Sequence, residues 1–290
     1  MIFLSRITGS LCLIFCFLVL SCLDVAAQPP AHLRVMTYNI RYKNTIDGIN
    51  GWEYRKDKVA ALIQYHEADI VGVQEADVDQ LRDMGKRMPG YKWYGVPSAE
   101  GNDGEYTAIF FSSRFAVRDS GTFWLSEHSH KANSKSWDSF YPRIVSWCKF
   151  QDSQSGVEFF FFNTHFDHRG KVARYKAAEV ARKQIGLIAG DRPVIFTGDF
   201  NTRDTSSAYQ KIVEGSQLKD ALPLSKFPHY GPVNTASGFA VTDKPIRARI
   251  DFIFVNRKVK VIRHATITDQ EQGRYYSDHL PVLAAIEISH

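Results

Sequence analysis

Pro193-Val194-Ile195-Phe196-Thr197-Gly198-Asp199-Phe200-Asn201 is an apolar run that ends in a carboxylate and an amide. Four apolar or β-branched residues in a row, entered at a proline and left at a glycine, read as a short buried strand. The same arrangement recurs along the chain. Arg34 to Ile40 is a β-type run carrying Met36-Thr37-Tyr38-Asn39. Ile70-Val71-Gly72-Val73-Gln74 runs into Glu75, and Phe159 to Phe162 runs into Asn163-Thr164-His165. Asp251 lies near the start of a strand in which Ile250, Phe252 and Phe254 alternate with Asp251, Ile253 and Val255. Ser277-Asp278-His279 immediately precedes the closing stretch Leu280 to Ile288. If these strands run antiparallel as a meander, starts and ends meet at one rim. That rim collects Asn39, Glu75, His165, Asp199, Asn201, Asp251, Asp278 and His279.

Between these strands the pattern changes period. Helices are expected from Arg55 onward, where Val59, Leu62 and Ile63 share a face, and over Val78 to Met88 before Pro89. The clearest helix is Lys171 to Ala189, with Ala177, Val180, Ala181, Ile185 and Ile188 on one stripe. Ser206 to Val213 is a shorter one. Further strands are expected over Tyr106 to Phe111, Phe115 to Trp124, Ile144 to Phe150, Val157 to Asn163 and Val259 to Ile267. Lys43 to Gly51, Ser126 to Pro142 and most of Leu218 to Lys244 read as loop; long loops in compact domains are often functional. Strands outnumber helices without regular β-α-β alternation. The fold class is therefore α/β in the α+β sense, two stacked sheets flanked by helices.

The 290 residues are 44% hydrophobic, 13% aromatic and 23% charged, which excludes collagen-like, disordered and disulfide-dense classes. A net charge of +5 fits phosphate ligands without demanding nucleic acid. After Arg6 comes the apolar run Leu11 to Leu20, shorter than the ~20 residues a transmembrane helix needs. Val25-Ala26-Ala27 then reads as a cleavage site, so residues 1–27 are expected to be a signal peptide and 28–290 one catalytic domain. The protein is then exported, periplasmic or extracellular. The alternative is lipoprotein anchoring at Cys22, after Val19-Leu20-Ser21. Cys12, Cys16 and Cys22 fall in that leader. Only Cys148 is clearly mature, a buried structural thiol, and a Cys-based zinc site is excluded.

Taken singly, the rim residues have structural readings. Glu75 suits a polar rim, Asp199 a turn, His165 a hydrogen-bonded core histidine, and Asp278-His279 a turn before a strand. Together, carboxylates with Asn and few His suit hard cations, Mg²⁺ or Mn²⁺. Asn and His can hydrogen-bond phosphoryl oxygens as charge develops, and an Asp beside a His can favour imidazolium. The reaction class this set supports is metal-assisted attack of water on a phosphoester.

The motifs Met36-Thr37-Tyr38-Asn39-Ile40, Gly72-Val73-Gln74-Glu75, Asn163-Thr164-His165, Gly198-Asp199-Phe200-Asn201-Thr202, Arg249-Ile250-Asp251-Phe252-Ile253 and Ser277-Asp278-His279-Leu280-Pro281-Val282 stand in family order. By them the chain resembles the endonuclease/exonuclease/phosphatase superfamily, the deoxyribonuclease I-like fold, in an exported bacterial branch. The resemblance implies a four-layer sandwich with the site at one rim. It implies Glu75 as principal metal ligand supported by Asn39, and Asp199 orienting or deprotonating water. Asn201 would hold a phosphoryl oxygen. His279 would stabilise the transition state, with Asp278 as its orienting partner or a second metal ligand. His165 would contact phosphate or leaving group, backed by Asp251, and Arg143 would bind phosphate.

The expected function is an exported phosphoesterase using Mg²⁺ or Mn²⁺. Its substrate would be a phosphorylated small molecule, glycan or lipid head group, as a phosphodiester or phosphomonoester. A secreted DNA or RNA nuclease is the first alternative, and a non-catalytic phosphate-binding module the second. A nuclease should track several phosphates and weaken steeply with salt, whereas a small-substrate enzyme should have a closed pocket. The charge of +5 and the Lys131, Lys135, Trp137 and Arg143 side chains fit either.

Overall fold

The computed structural model describes residues 29–100 and 104–289. The expected leader over 1–27 and the acylation point Cys22 lie outside them. In chain order the elements are β1 (Ala31–Asn39), a 3₁₀ turn (Thr45–Asn50), α1 (Trp52–Tyr65), β2 (Ile70–Ala76), α2 (Val78–Arg87), β3 (Tyr91–Tyr94), β4 (Tyr106–Ser112) and β5 (Phe115–Trp124). Then come β6 (Ile144–Asp152), β7 (Glu158–His165), α3 (Lys171–Ala189), β8 (Val194–Asp199), α4 (Ser207–Val213), β9 (Lys219–Asp220) and α5 (Ala221–Leu224). The chain closes with β10 (Asp251–Val255), β11 (Val259–Thr266), β12 (Gln270–Glu271), β13 (Arg274–Tyr275) and β14 (Val282–Ile288). Two six-stranded mixed sheets, β11-β14-β1-β2-β4-β3 and β5-β6-β7-β8-β10-β9, stack as the inner layers of a four-layer sandwich. Among the described residues no helix is long and apolar enough to cross a membrane.

The period of two explains the layering. Leu33 and Val35 of β1, Phe159 and Phe161 of β7, and Ile195 of β8 meet between the sheets. Their neighbours face outward. Met36, Tyr38, Val71 and Val73 pack under Trp52, Val59, Leu62 and Ile63 of α1 and Leu81 and Met84 of α2. Phe160, Phe162, Phe196 and Phe254 pack under Ala177, Ala181 and Ile185 of α3 and Ile212 of α4. Each fully buried phenylalanine contributes roughly 2–3 kcal/mol, so slipping any of these strands by one residue would be costly. Cys148 is free and buried in the inter-sheet core, as expected.

Each inward-facing row turns polar as it approaches one end: Val35, Thr37, Asn39; Ile70, Gly72, Gln74; Phe161, Asn163, His165; Ile195, Thr197, Asp199. Just below that end, side chains tie the two sheets together. Gln74 Nε2 donates to Asn163 Oδ1 at 2.7 Å, and Asn163 Nδ2 donates to the carbonyls of Val73 and Ala108 at 2.9 Å each. A Cβ on Gly72 would stand 2.4 Å from Asn163 Oδ1, so glycine is required for the sheets to come this close.

The meander expectation is corrected. β1 pairs with β2, and β7 with β8, in parallel, so their polar ends share one rim because the strands point the same way. β10 and β14 run antiparallel to β8 and β1, which brings the start of β10 and the segment before β14 to that same rim.

Candidate active site

Register places the first row. His165 lies opposite Asp199, and Asp199 opposite Asp251, across β7, β8 and β10. Asn39 arrives from the facing sheet at the end of the β1 inward row. Its Nδ2 donates to Asp199 Oδ2 at 3.0 Å and to Glu75 Oε1 at 2.9 Å. Glu75 gets there by a different route. Alternation from Val71 and Val73 would turn it toward the helices. A bulge between Val73 and Ala76 and a left-handed φ of 62° at Glu75 swing it to the rim instead. Asp77 and Gln80 then form a capping box that starts α2 and fixes the exit of β2. Arg41 and Asn201, both on the rim, also take left-handed φ values of 58° and 48°. Non-glycine residues held there are uncommon and tend to collect at functional sites.

Asp199 is the hub. It is 1% exposed, its Oδ1 accepts from Asn201 N at 2.8 Å, and His165 Nε2 and His279 Nε2 lie 3.5 and 3.8 Å from its Oδ2. His279 Nδ1 donates to Asp251 Oδ2 at 2.9 Å. Burial works against a charged ring, but Asp251 and Asp199 outweigh it and hold the His279 pKa well above its ordinary value. The imidazolium therefore keeps Nε2–H aimed into the site.

Two pairings differ from expectation. Asp278 does not hold the His279 ring: its carboxylate lies 4.0 Å from Arg41 Nη1 and 3.4 Å from Ser277 Oγ. Burial raises its pKa, with His279 opposing and Glu75 adding. Nor does Asp251 back His165, because β10 delivers it to His279. The partner of His165 is Arg143, whose Nη1 lies 2.9 Å from Nδ1. A guanidinium only donates, so Nδ1 accepts and the ring proton sits on Nε2. Glu105, which the sequence does not single out, holds Arg143 at 2.8 Å and lies 3.5 Å from His165. Burial presses Glu105 toward the neutral form, while the Arg143 guanidinium beside it holds its carboxyl below the usual carboxylate range. Asn201 Nδ2, 3.0 Å from His165 Nε2, donates to Phe166 O. His165 and Asn201 thus bring two donors to one region, beside Asp199 Oδ2.

The donor set fits a hard cation. One ligand atom each from Glu75, His165 and Asp199 lie within 4.8 Å of one another, as do those of Asp199, Asp251 and His279. Neither histidine offers a lone pair there, His279 being the imidazolium and His165 carrying its proton on Nε2; what remains is carboxylate oxygen, that of Glu75 above all, as Mg²⁺ or Mn²⁺ prefers. Asp278 belongs to neither trio. Glu75, His165, Asp199, Asn201 and His279 open into a cavity of about 590 Å³, also lined by Arg41, Lys43, Asp77, Ser98, Tyr141, Arg143 and His168.

Comparison with known proteins places this geometry. The Endonuclease/Exonuclease/phosphatase family model matches residues 36–279. An endonuclease/exonuclease/phosphatase family protein of Bacteroides thetaiotaomicron is 36% identical, with a TM-score of 0.86 over 90% of this chain and 99% of that one. A mannosyl-6-phosphatase of the same organism is also 36% identical, with a TM-score of 0.84 over 88% and 99%. Among curated sequences, an uncharacterized protein of Acanthamoeba polyphaga mimivirus is 24% identical over 82% of this chain; the chain spans 40% of that relative's length.

Proposed function

Because the chain belongs to the endonuclease/exonuclease/phosphatase family, whose members hydrolyse phosphoester bonds, we propose that it is a metal-dependent hydrolase of small phosphate esters, with a sugar phosphate as substrate. The observation that carries this reading is the shape and charge of the site. The catalytic-type residues converge in one cavity of small-molecule size. Its wall alternates Arg41, Lys43 and Arg143 with Glu75, Asp77, Glu105 and Asp199. Such a wall suits a single phosphate; a nucleic-acid backbone needs a continuous cationic track. The 36% identity to a mannosyl-6-phosphatase supports the same substrate class. The apolar run after Arg6 supports export to the periplasm or beyond.

Glu75 would hold the Mg²⁺ or Mn²⁺, with Asn39 fixing its carboxylate and that of Asp199. A bound divalent cation supplies Lewis-acid polarisation of a phosphoryl oxygen. The protein's own groups do the rest. Asp199, held by two hydrogen bonds, orients the attacking water and takes its proton. His279, Asn201 and His165 direct N–H groups at the oxygens on which charge grows. Arg143, desolvated and braced by Glu105, adds a fixed positive charge at the same face.

The test is hydrolysis by the mature chain of mannose 6-phosphate, glucose 6-phosphate, a bis-aryl phosphodiester, plasmid and single-stranded RNA, with Mg²⁺ or Mn²⁺. Turnover of the sugar phosphates with weak salt dependence is expected. Nicking of plasmid or RNA, with the sugar phosphates untouched, would replace this reading by that of a nuclease.

A further inference from the structure

The mouth of the cavity carries an aromatic ring that the chemistry above leaves unused. Tyr141 lines the cavity and is 48% exposed; its neighbour Phe140 is 41% exposed. Both sit on the loop between β5 and β6, where exposed rings are ordinarily mobile and gain little. Here they are fastened. Asp167, 2% exposed, accepts from the backbone N–H of Phe140 at 2.8 Å and Tyr141 at 3.1 Å. It also accepts from the N–H of Arg169 at 2.9 Å and Gly170 at 2.7 Å. From the same loop, Asp138 accepts from Ala173 N at 2.6 Å and so caps α3. A Cβ on Gly170 would stand 2.5 Å from Asp138 O, so loop and helix are in close contact there. A buried carboxylate committed to four backbone donors is an expensive way to arrange a surface loop. Its effect is to set the position of one ring.

That ring has a definite setting. Tyr141 stacks on His168, centroids 5.8 Å apart and planes 28° from parallel. Phe140 stands edge-on to it, at 85° and 4.6 Å. Nearly half exposed on the cavity wall, Tyr141 forms a corner with Phe140, and among the described residues no ring other than His168 stacks on it, so no pair of rings stands ready to sandwich a flat nucleobase. Arg143, on the phosphate side, has its guanidinium 5.7 Å from the Tyr141 centroid. Ser98, Asp77 and Glu105 line the cavity with it and offer hydroxyl partners. An aromatic face with its negative quadrupole, set beside hydrogen-bonding groups, complements a pyranose ring: C–H face on one side, hydroxyls around the edge.

We propose that Tyr141, backed by His168 and positioned by Asp167, forms a subsite for the hexose ring of the substrate, next to the phosphate site at Arg143. The proposal rests on the small-ester reading above. It makes Tyr141 a specificity-determining residue and Asp167 a positioning residue.

The experiment is calorimetric binding to the folded, full chain in Mg²⁺ buffer, using ligands that cannot turn over. They are the phosphonate analogues of mannose 6-phosphate and glucose 6-phosphate, with propylphosphonate as the ringless control. Wild type is expected to bind at least one hexose phosphonate about tenfold more tightly than propylphosphonate. Tyr141→Ala should remove that margin and keep the propylphosphonate affinity; Tyr141→Phe should retain the margin; Asp167→Asn should shrink it. An unchanged margin in Tyr141→Ala, no margin in wild type, or equal loss of both ligand types would overturn the subsite. If the margin behaves as expected while wild type hydrolyses no phosphoester, the subsite stands and the hydrolase reading falls.

Discussion

Asp251 Oδ2 accepts from His279 Nδ1 at 2.9 Å and from the Thr235 hydroxyl at 2.5 Å, while Oδ1 is buried with no hydrogen-bond partner among the described residues, so the carboxylate is fixed facing that ring. Its charge is a main reason, with that of Asp199, that His279 stays protonated despite burial. The sign follows. A raised imidazole pKa keeps the cationic form present at neutral pH and loses it only as pH rises through the raised value. Asp251→Asn keeps the shape and removes the charge, so that loss should begin at lower pH. At neutral pH, turnover is expected to fall about 10- to 100-fold, in the range of a single electrostatic contribution. The alkaline limb of the pH–rate profile should move acidward by about one unit. A variant with an unshifted alkaline limb would show that His279 does not act as a cation.

At the scale of elements, the end of the sandwich away from the site is held by an ion pair. Asp152 closes β6 and takes a bidentate grip from Arg114, which lies between β4 and β5, at 2.7 Å through both Nε and Nη2. Arg114 Nη1 also donates to His32 O on β1, so one guanidinium joins the two sheets. Burial raises the Asp152 pKa, but Arg114 and the Ser155 hydroxyl outweigh it and bring it down to about 2 from a usual 3.8. A depressed carboxyl stabilises the fold fully above its unfolded pKa and stops doing so as pH falls through the folded one. About 2 kcal/mol of stability should therefore disappear between pH 4 and 2. Urea unfolding across pH 2 to 6 checks this: Asp152→Asn should be less stable at pH 6 and lose less on acidification. A parallel decline of both proteins would contradict it. The elements that the sequence left unread are those too short for a period. β3 and α5 have four residues each, and β9, β12 and β13 two each.

For the whole molecule, the division between readable and unreadable is physical. Asn39, His165 and Asp199 were legible because each stands at the polar end of a strand that begins apolar, a pattern local to one strand. Glu75 was legible by motif, although its route to the rim is a bulge that no alternation predicts. Glu105 was not legible: it starts no pattern, and its role comes from meeting Arg143 and His165, 38 and 60 positions further along. The pairing of His279 with Asp251 instead of its neighbour Asp278 depends likewise on where β10 lies beside β8. We propose that this rim, assembled from both sheets, hydrolyses phosphoesters through Asp199 with a divalent cation. The most direct measurement is phosphate release from mannose 6-phosphate by wild type and Asp199→Asn, each with Mg²⁺, with chelator, and with Mg²⁺ restored. Wild-type turnover should vanish with chelator and return with Mg²⁺. A folded Asp199→Asn protein should be slower by about 100-fold or more. Chelator-insensitive release, or wild-type turnover in the variant, would contradict the claim.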